Sequence, residues 1–217
     1  MQKNELIIFG TKNMAVEIQE MAASFYADSF ENIKMIYFSE DFIKENNLED
    51  KVNSGNFTFY YIIGFGGKNR QMCIEALKKY SNFEPFSIIH PSAVIAKSAK
   101  IGKGCLIFPN TTISSNAVLG DHCVINYNAS VGHDTVLSDN IFIQPGARVS
   151  GNCQIGEGTL IGSNSFIYQN VKLGKECLVD ALTYIHDSVQ DRMIVSSRYA
   201  EPISRDALPK DKLSMWE

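Results

Sequence analysis

The sequence predicts a two-part chain: a small α/β domain with a Rossmann-like parallel sheet, followed by an all-β parallel β-helix. Three observations predict it. An aliphatic residue opens every six-residue unit from Ile89 to Ile185, a small or modest residue follows four places later, and the residues before this repeat alternate strand and helix signals separated by glycines. Residues 89–190 make seventeen such units without an insertion.

Within a unit, the small residue, the next residue and the following aliphatic residue read as one short strand pointing in, out and in. The three remaining residues turn a corner. Glycine at the first corner position, as at Gly102, Gly120, Gly132 and Gly156, fits a backbone that needs room or a positive φ. Three units close a triangular coil, so residues 18 apart stack at the inter-strand spacing of ~4.8 Å. That arithmetic sorts the outward positions into three walls. One reads Leu106, Val124, Phe142, Leu160 and Leu178, apolar at every level, and is expected to be an oligomer interface. A helix of the same chain covering it is the alternative. The walls beginning at Val94 and Lys100 are mixed.

The α/β domain is expected over residues 1–85, the β-helix over 86–190 and a tail over 191–217. Its elements read as a strand Leu6–Phe9, a helix Asn13–Phe25 with Met14, Ile18, Met21 and Phe25 apolar, a strand Ile33–Phe38, a strand Phe57–Ile63 and a helix Asn69–Tyr80. Strand, glycine turn and helix in this order place ligand sites at the carboxyl ends of the strands. The first turn, Gly10-Thr11-Lys12-Asn13-Met14-Ala15, carries only the first glycine of a dinucleotide fingerprint. It still offers helix N-terminal amides to a phosphate or a base, or is an ordinary turn. Gly64, Gly66 and Gly67 before Lys68 have the same two readings.

Hydrophobic residues make up 45% of the chain, enough for two cores, and the net charge of −4 argues against a nucleic-acid partner. There is no apolar run of 18 residues and no charged-then-apolar leader, so a soluble, cytoplasmic protein without a membrane partner is expected. Four of the five cysteines, Cys105, Cys123, Cys153 and Cys177, fall on the small inward position, where they act as compact hydrophobes and are expected to stay reduced.

Four histidines are available for chemistry. His90, His122 and His186 have structural readings, and the four do not cluster in the 18-residue lattice, so no zinc site is expected. His133 stands out because Asp134 follows it, and because its lattice neighbours are Ser115 on one side and Gly151 on the other. The carboxylate can fix a tautomer, and the glycine leaves both space and an amide that can face a reacting carbonyl.

The stretch NYNASVGHDTVLSDNIFIQPGARVSGN, residues 126 to 152, taken with the α/β domain and the junction IIHPSAVIAKSAKIGKG, resembles the bacterial nucleotide-sugar acetyltransferases of the left-handed β-helix superfamily. The nearest types are the bacillosamine- and perosamine-pathway N-acetyltransferases, with sialic acid O-acetyltransferases close by. The resemblance implies a homotrimer with sites between adjacent β-helices, acetyl-CoA along that groove as co-substrate, and a nucleotide-linked amino sugar held by the α/β domain. By motif position it makes His133 the general base and Asp134 its support. Asn126 falls in the sugar pocket and Gly151 against the acetyl donor. Gly10, Lys12, Asn13, Met14, Ser39, Glu40 and Gly64 fall on the nucleotide-contacting turns.

Three positions depart from the family pattern. Phe142 stands where members carry a second histidine that holds acetyl-CoA, Ser39 and Glu40 replace paired aspartates, and Ser196–Pro202 replaces a small-residue tail. The function this implies is N-acetylation of a nucleotide-linked amino-deoxy sugar. O-acetylation of a sugar hydroxyl and a non-catalytic β-helical scaffold are the alternatives.

Overall fold

The structure is a computed structural model that describes residues 3–10, 12–64 and 67–207. The chain divides into two compact units, Met1–Ile88 and Ile89–Glu217.

The first unit is a four-stranded parallel sheet of β1 (Lys3–Phe9), β2 (Asn32–Ile36), β3 (Phe57–Ile63) and β4 (Phe83–Pro85), in the order β2-β1-β3-β4. Leu6, Ile7, Ile8 and Phe9 of β1 are all fully buried, as a central strand covered on both faces requires. Helix α1 (Lys12–Tyr26) packs through Ala15, Ile18, Met21 and Ala22. Phe25, read from the sequence as part of that face, is instead 46% exposed. Strand β2 ends at Ile36, so Tyr37 and Phe38 belong to the following loop.

Three elements were not legible in the sequence: α2 (Phe42–Glu45), α3 (Glu49–Ser54) and β4. The two helices are shorter than two turns and show no periodicity. Strand β4 ends in Pro85, a residue tolerated only at a sheet edge. Helix α4 (Gly67–Leu77) completes the unit. Phe9, Phe42, Phe59 and Phe83 form one face's core, with Phe59 and Phe83 stacked at 4.8 Å.

The second unit is a left-handed parallel β-helix. Up to Ile185 its two-residue strands pair in parallel with an 18-residue step, as in Val118↔Val136, Val124↔Phe142 and Ser130↔Arg148. The aliphatic positions fill the interior: Ile107, Ile125, Val131, Ile143, Ile161 and Ile167 are all fully buried. Polar residues are tolerated at the small inward position because their hydroxyls find corner carbonyls, several of them on the next coil. Thr135, Thr159 and Ser165 donate to the carbonyls of Ser150, Gly174 and Asp180 at 2.8, 2.8 and 2.7 Å. Cys105, Cys123 and Cys153 make the same contact through sulfur, to Gly120, Ser138 and Tyr168.

The corners correct one expectation. Positive φ belongs to the third corner position, at Asn110, Asn116, His122, Asn128, Asp134 and Asn140, with values of 56–59°. Glycine serves there too, at Gly104, Gly146 and Gly158. The first-corner glycines are needed for space: a Cβ on Gly132 would stand 2.4 Å from the Ser150 carbonyl carbon. Asparagine is the residue that most readily accepts the left-handed conformation after glycine, which explains its recurrence.

Two further expectations change. Most of the apolar wall is not an exposed patch: Leu106, Val124, Phe142 and Leu178 are 0, 0, 6 and 4% exposed within the single chain, and Leu160 is half-buried. These four residues are therefore core and not an oligomer interface. The regular step also ends before Gln190, because Val189 bridges Leu173, and Ile194 pairs with Leu178, each 16 residues on. The strand Met193–Val195 continues the wall and a short antiparallel strand, Ile203–Ser204, closes against it.

Candidate active site

The sheet order of the first unit places one crevice. The chain steps from β1 to β2 on one side and then to β3 on the other, so the carboxyl ends of β1 and β3 flank a switch point, where open α/β sheets bind ligands. Gly10 follows β1 and Gly64 follows β3, and the two strand ends are joined by a 2.7 Å hydrogen bond from the Gly64 amide to the Phe9 carbonyl. Both glycines have a packing reason. A Cβ on Gly10 would meet Ala15 Cβ at 2.5 Å, and one on Gly64 would meet Ile18 Cδ1 at 2.3 Å.

Asn13 is exposed and Met14 half-buried on the first turn of α1, close to Gly64. Ser39 and Glu40 follow β2. The Ser39 hydroxyl donates to Glu45 at 2.6 Å, whereas the Glu40 side chain is exposed. Thr11, Gly66 and the side chains of Lys12 and Lys68 lie outside the described residues. Sequence reading missed Arg70. The residue is 1% exposed, and its guanidinium donates to the Ile63 carbonyl, fixing α4 to the end of β3.

In the β-helix, His133 and Asp134 occupy the second and third corner positions after the strand Ser130–Val131. Asp134 has a left-handed backbone, φ 57°, like the other third-corner residues. Its Oδ2 lies 2.8 Å from His133 Nδ1. Its Oδ1 accepts from Asn116 Nδ2 at 3.0 Å, one coil away. The hydrogen bond from His133, followed by that from Asn116, holds the Asp134 carboxyl below its usual range. An ionised Asp134 selects the tautomer with the proton on Nδ1, leaving the lone pair on Nε2.

That nitrogen faces Gly151 on the next coil, where a Cβ would stand 2.5 Å from Nε2. Gly132 lets the two coils approach closely at this corner, since its own Cβ would stand 2.5 Å from the Gly151 nitrogen. With a side-chain exposure of 61%, His133 is open to a reactant. The corner thus offers a base nitrogen beside an amide freed of side chains, a combination suited to removing a proton at an acyl centre.

A second pair, His186 and Asp187, was not distinguished in the sequence. The side chains lie 3.0 Å apart, but Asp187 is 86% exposed, against 47% for Asp134. His90 is engaged with Ser92 at 2.8 Å, and His122 is buried at 9% exposure. Among the described residues no group of three or more His, Cys, Asp or Glu could hold a metal ion, and no helix is long and apolar enough to cross a membrane.

Two predicted site residues lie away from this corner. Asn126 is 4% exposed, with its Oδ1 accepting from the Tyr127 amide at 2.8 Å. It opens the preceding corner, so the strand Ser130–Val131 separates it from His133 within one chain. Phe142, assigned to acetyl-CoA from the sequence, is part of the buried wall, so its ring packs and presents little surface to a ligand.

Residues 98–133 and 134–169 match the family described as bacterial transferase hexapeptide (six repeats), and residues 153–186 match the hexapeptide repeat of succinyl-transferase. The acetyltransferase domain of PglB from Neisseria gonorrhoeae FA1090 superposes with a TM-score of 0.77 at 25% identity, covering 92% of this chain and 99% of that one. This chain is an acetyltransferase, and its residues 98–186 carry the hexapeptide repeat.

Two further structures share the acetyltransferase's fold. PerB from Caulobacter crescentus, solved with CoA and GDP-perosamine, gives a TM-score of 0.76 at 18% identity, covering 93% of this chain and 97% of that one. WeeI from Acinetobacter baumannii AYE gives 0.79 at 19% identity, covering 93% and 100%. None of the curated proteins compared by sequence matches the acetyltransferase.

Proposed function

We propose that this acetyltransferase moves an acetyl group from acetyl-CoA to the amine of a nucleotide-linked amino-deoxy sugar, with His133 as general base. The observation that carries the reading is the His133 corner, where an imidazole oriented by Asp134 points its free nitrogen at the side-chain-free Gly151. The neutral amine attacks the thioester carbonyl, forming the carbon–nitrogen bond. His133 Nε2 takes the amine proton, a backbone amide at Gly151 stabilises the oxyanion, and collapse breaks the carbon–sulfur bond. The proton then passes to the departing thiolate, so CoA leaves as a thiol.

The co-substrate and acceptor are supported by two relatives: the PglB domain has been solved with acetyl coenzyme A, and PerB with CoA and GDP-perosamine. The α/β unit takes the nucleotide sugar at the carboxyl ends of β1 and β3, through the turns holding Gly10, Lys12, Asn13, Met14, Ser39, Glu40 and Gly64. Asn126 contacts the sugar. A homotrimer is part of the reading: Asn126 and His133 lie on different edges of the β-helix, and a second copy offers a way for both edges to serve one site.

The test is thiol release from acetyl-CoA with a panel of UDP-, dTDP- and GDP-linked amino sugars and their counterparts that carry a hydroxyl in place of the amine. Turnover on one amino sugar, reduced by ~10²–10⁴-fold in His133→Ala, is the expected result. A His133→Ala enzyme with nearly full activity rejects the base, and turnover confined to sugars lacking an amine rejects the acceptor class.

A further inference from the structure

We infer that Asn116 is a positioning residue for catalysis, acting on His133 through Asp134; the inference rests on His133 being the base. Its residue type alone says nothing, because asparagine recurs at left-handed corners and Asn116, with φ 59°, is one of them. What separates it is its amide, which donates to Asp134 Oδ1 at 3.0 Å while the other carboxylate oxygen binds His133 Nδ1 at 2.8 Å.

The contact crosses one coil of the β-helix, from a residue 18 positions earlier in the sequence. It ties the carboxylate to the body of the fold. Without it, Asp134 would be held by His133 alone, and the two exposed side chains could rotate together. A carboxylate fixed at both oxygens gives the imidazole one orientation, so Nε2 stays aimed at the Gly151 opening.

The Asn116 side chain has no packing duty to confuse the test. It is exposed, and the coil contact at this position is made by its backbone, whose amide donates to Ser98 Oγ at 3.0 Å. Asn116→Gly accepts the left-handed backbone and removes only the donor. Asn116→Asp keeps the shape and the backbone preference but sets a second carboxylate against Asp134.

The experiment is steady-state kinetics with acetyl-CoA and the accepted amino sugar, alongside thermal unfolding. Asn116→Gly should lower kcat about tenfold, the effect of one hydrogen bond to a charged group, with both KM values and the unfolding midpoint near those of the parent. Asn116→Asp should lose at least as much, and it carries the test by itself if the glycine variant folds poorly. In an Asp134→Gly background, Asn116→Gly should have no further effect, because its route to His133 is gone.

Undiminished kcat in both Asn116 variants overturns the inference. So does an equal tenfold loss with and without Asp134, since that places the effect in the fold. His133→Ala is run beside them. If it stays active, the base assignment has failed and the inference falls with it; if it is inactive while the Asn116 variants are unimpaired, only the inference has failed.

Discussion

Gly151 and His133 stand on successive coils of one edge, so close that a Cβ on Gly151 would lie 2.5 Å from His133 Nε2. The glycine is the floor of the site. In Gly151→Ala the neighbour that must yield is an exposed ring, which can rotate away without disturbing the β-helix. Turnover should fall on the order of 10²-fold, the cost of misplacing a reacting group by about 1 Å, with little change in unfolding temperature.

Gly132→Ala should behave in the opposite way. Its Cβ would meet backbone, the Ser150 carbonyl carbon at 2.4 Å and the Gly151 nitrogen at 2.5 Å, and neither can rotate aside. A stability loss of about 1–3 kcal/mol, seen as a lower midpoint in urea, is expected together with reduced activity. Equal stability of the two alanine variants would contradict this division between ring and backbone.

Phe142 tests whether the buried wall is core or cofactor site. At 6% exposure it should act as core, so Phe142→Ala should cost about 3–5 kcal/mol. Phe142→Leu should keep the acetyl-CoA KM of the parent. A raised KM in the leucine variant at unchanged stability would return the residue to the cofactor.

Asp134 gives a pH dependence of known sign. Its carboxyl is held below the usual range by the hydrogen bond from His133 and then by that from Asn116. The ionised form is therefore favoured by folding, and its contribution is present above the unfolded value of ~3.9. It fades as pH falls through the lower folded value. Unfolding midpoints of the parent and Asp134→Asn should differ by a constant amount at neutral pH and converge in acid.

All five cysteines are free and buried, and burial raises the thiols of Cys73, Cys153 and Cys177. The native protein should react with a disulfide reagent far more slowly than the urea-unfolded chain, which should titrate five thiols. The same inertness keeps a thiol-release assay free of signal from the protein itself.

The β-helix was legible in the sequence because its period is local. Each unit must bury one aliphatic residue at Ile107, Ile125 or Ile143 and turn at a corner, so the six-residue pattern repeats the geometry directly. His133, Asp134 and Gly151 were also readable, since stacking by 18 makes lattice neighbours a matter of counting. The counting failed where the step shortened to 16 at Val189 and Ile194, a change in corner length that no single residue announces.

What only the tertiary structure decided were matters of contact. The sequence marked Leu106, Val124 and Phe142 as an apolar wall but could not say that the chain itself buries it, because an outward-pointing residue carries no record of what covers it. It placed Asn116 among many left-handed asparagines, and only the meeting of its amide with Asp134 singles it out. It likewise left β4 and α2 unread, since elements this short are stabilised by the aromatic core around Phe42, Phe59 and Phe83 and not by their own pattern. Periodicity determines how a chain coils; which side chains then meet depends on distances that sequence spacing does not contain.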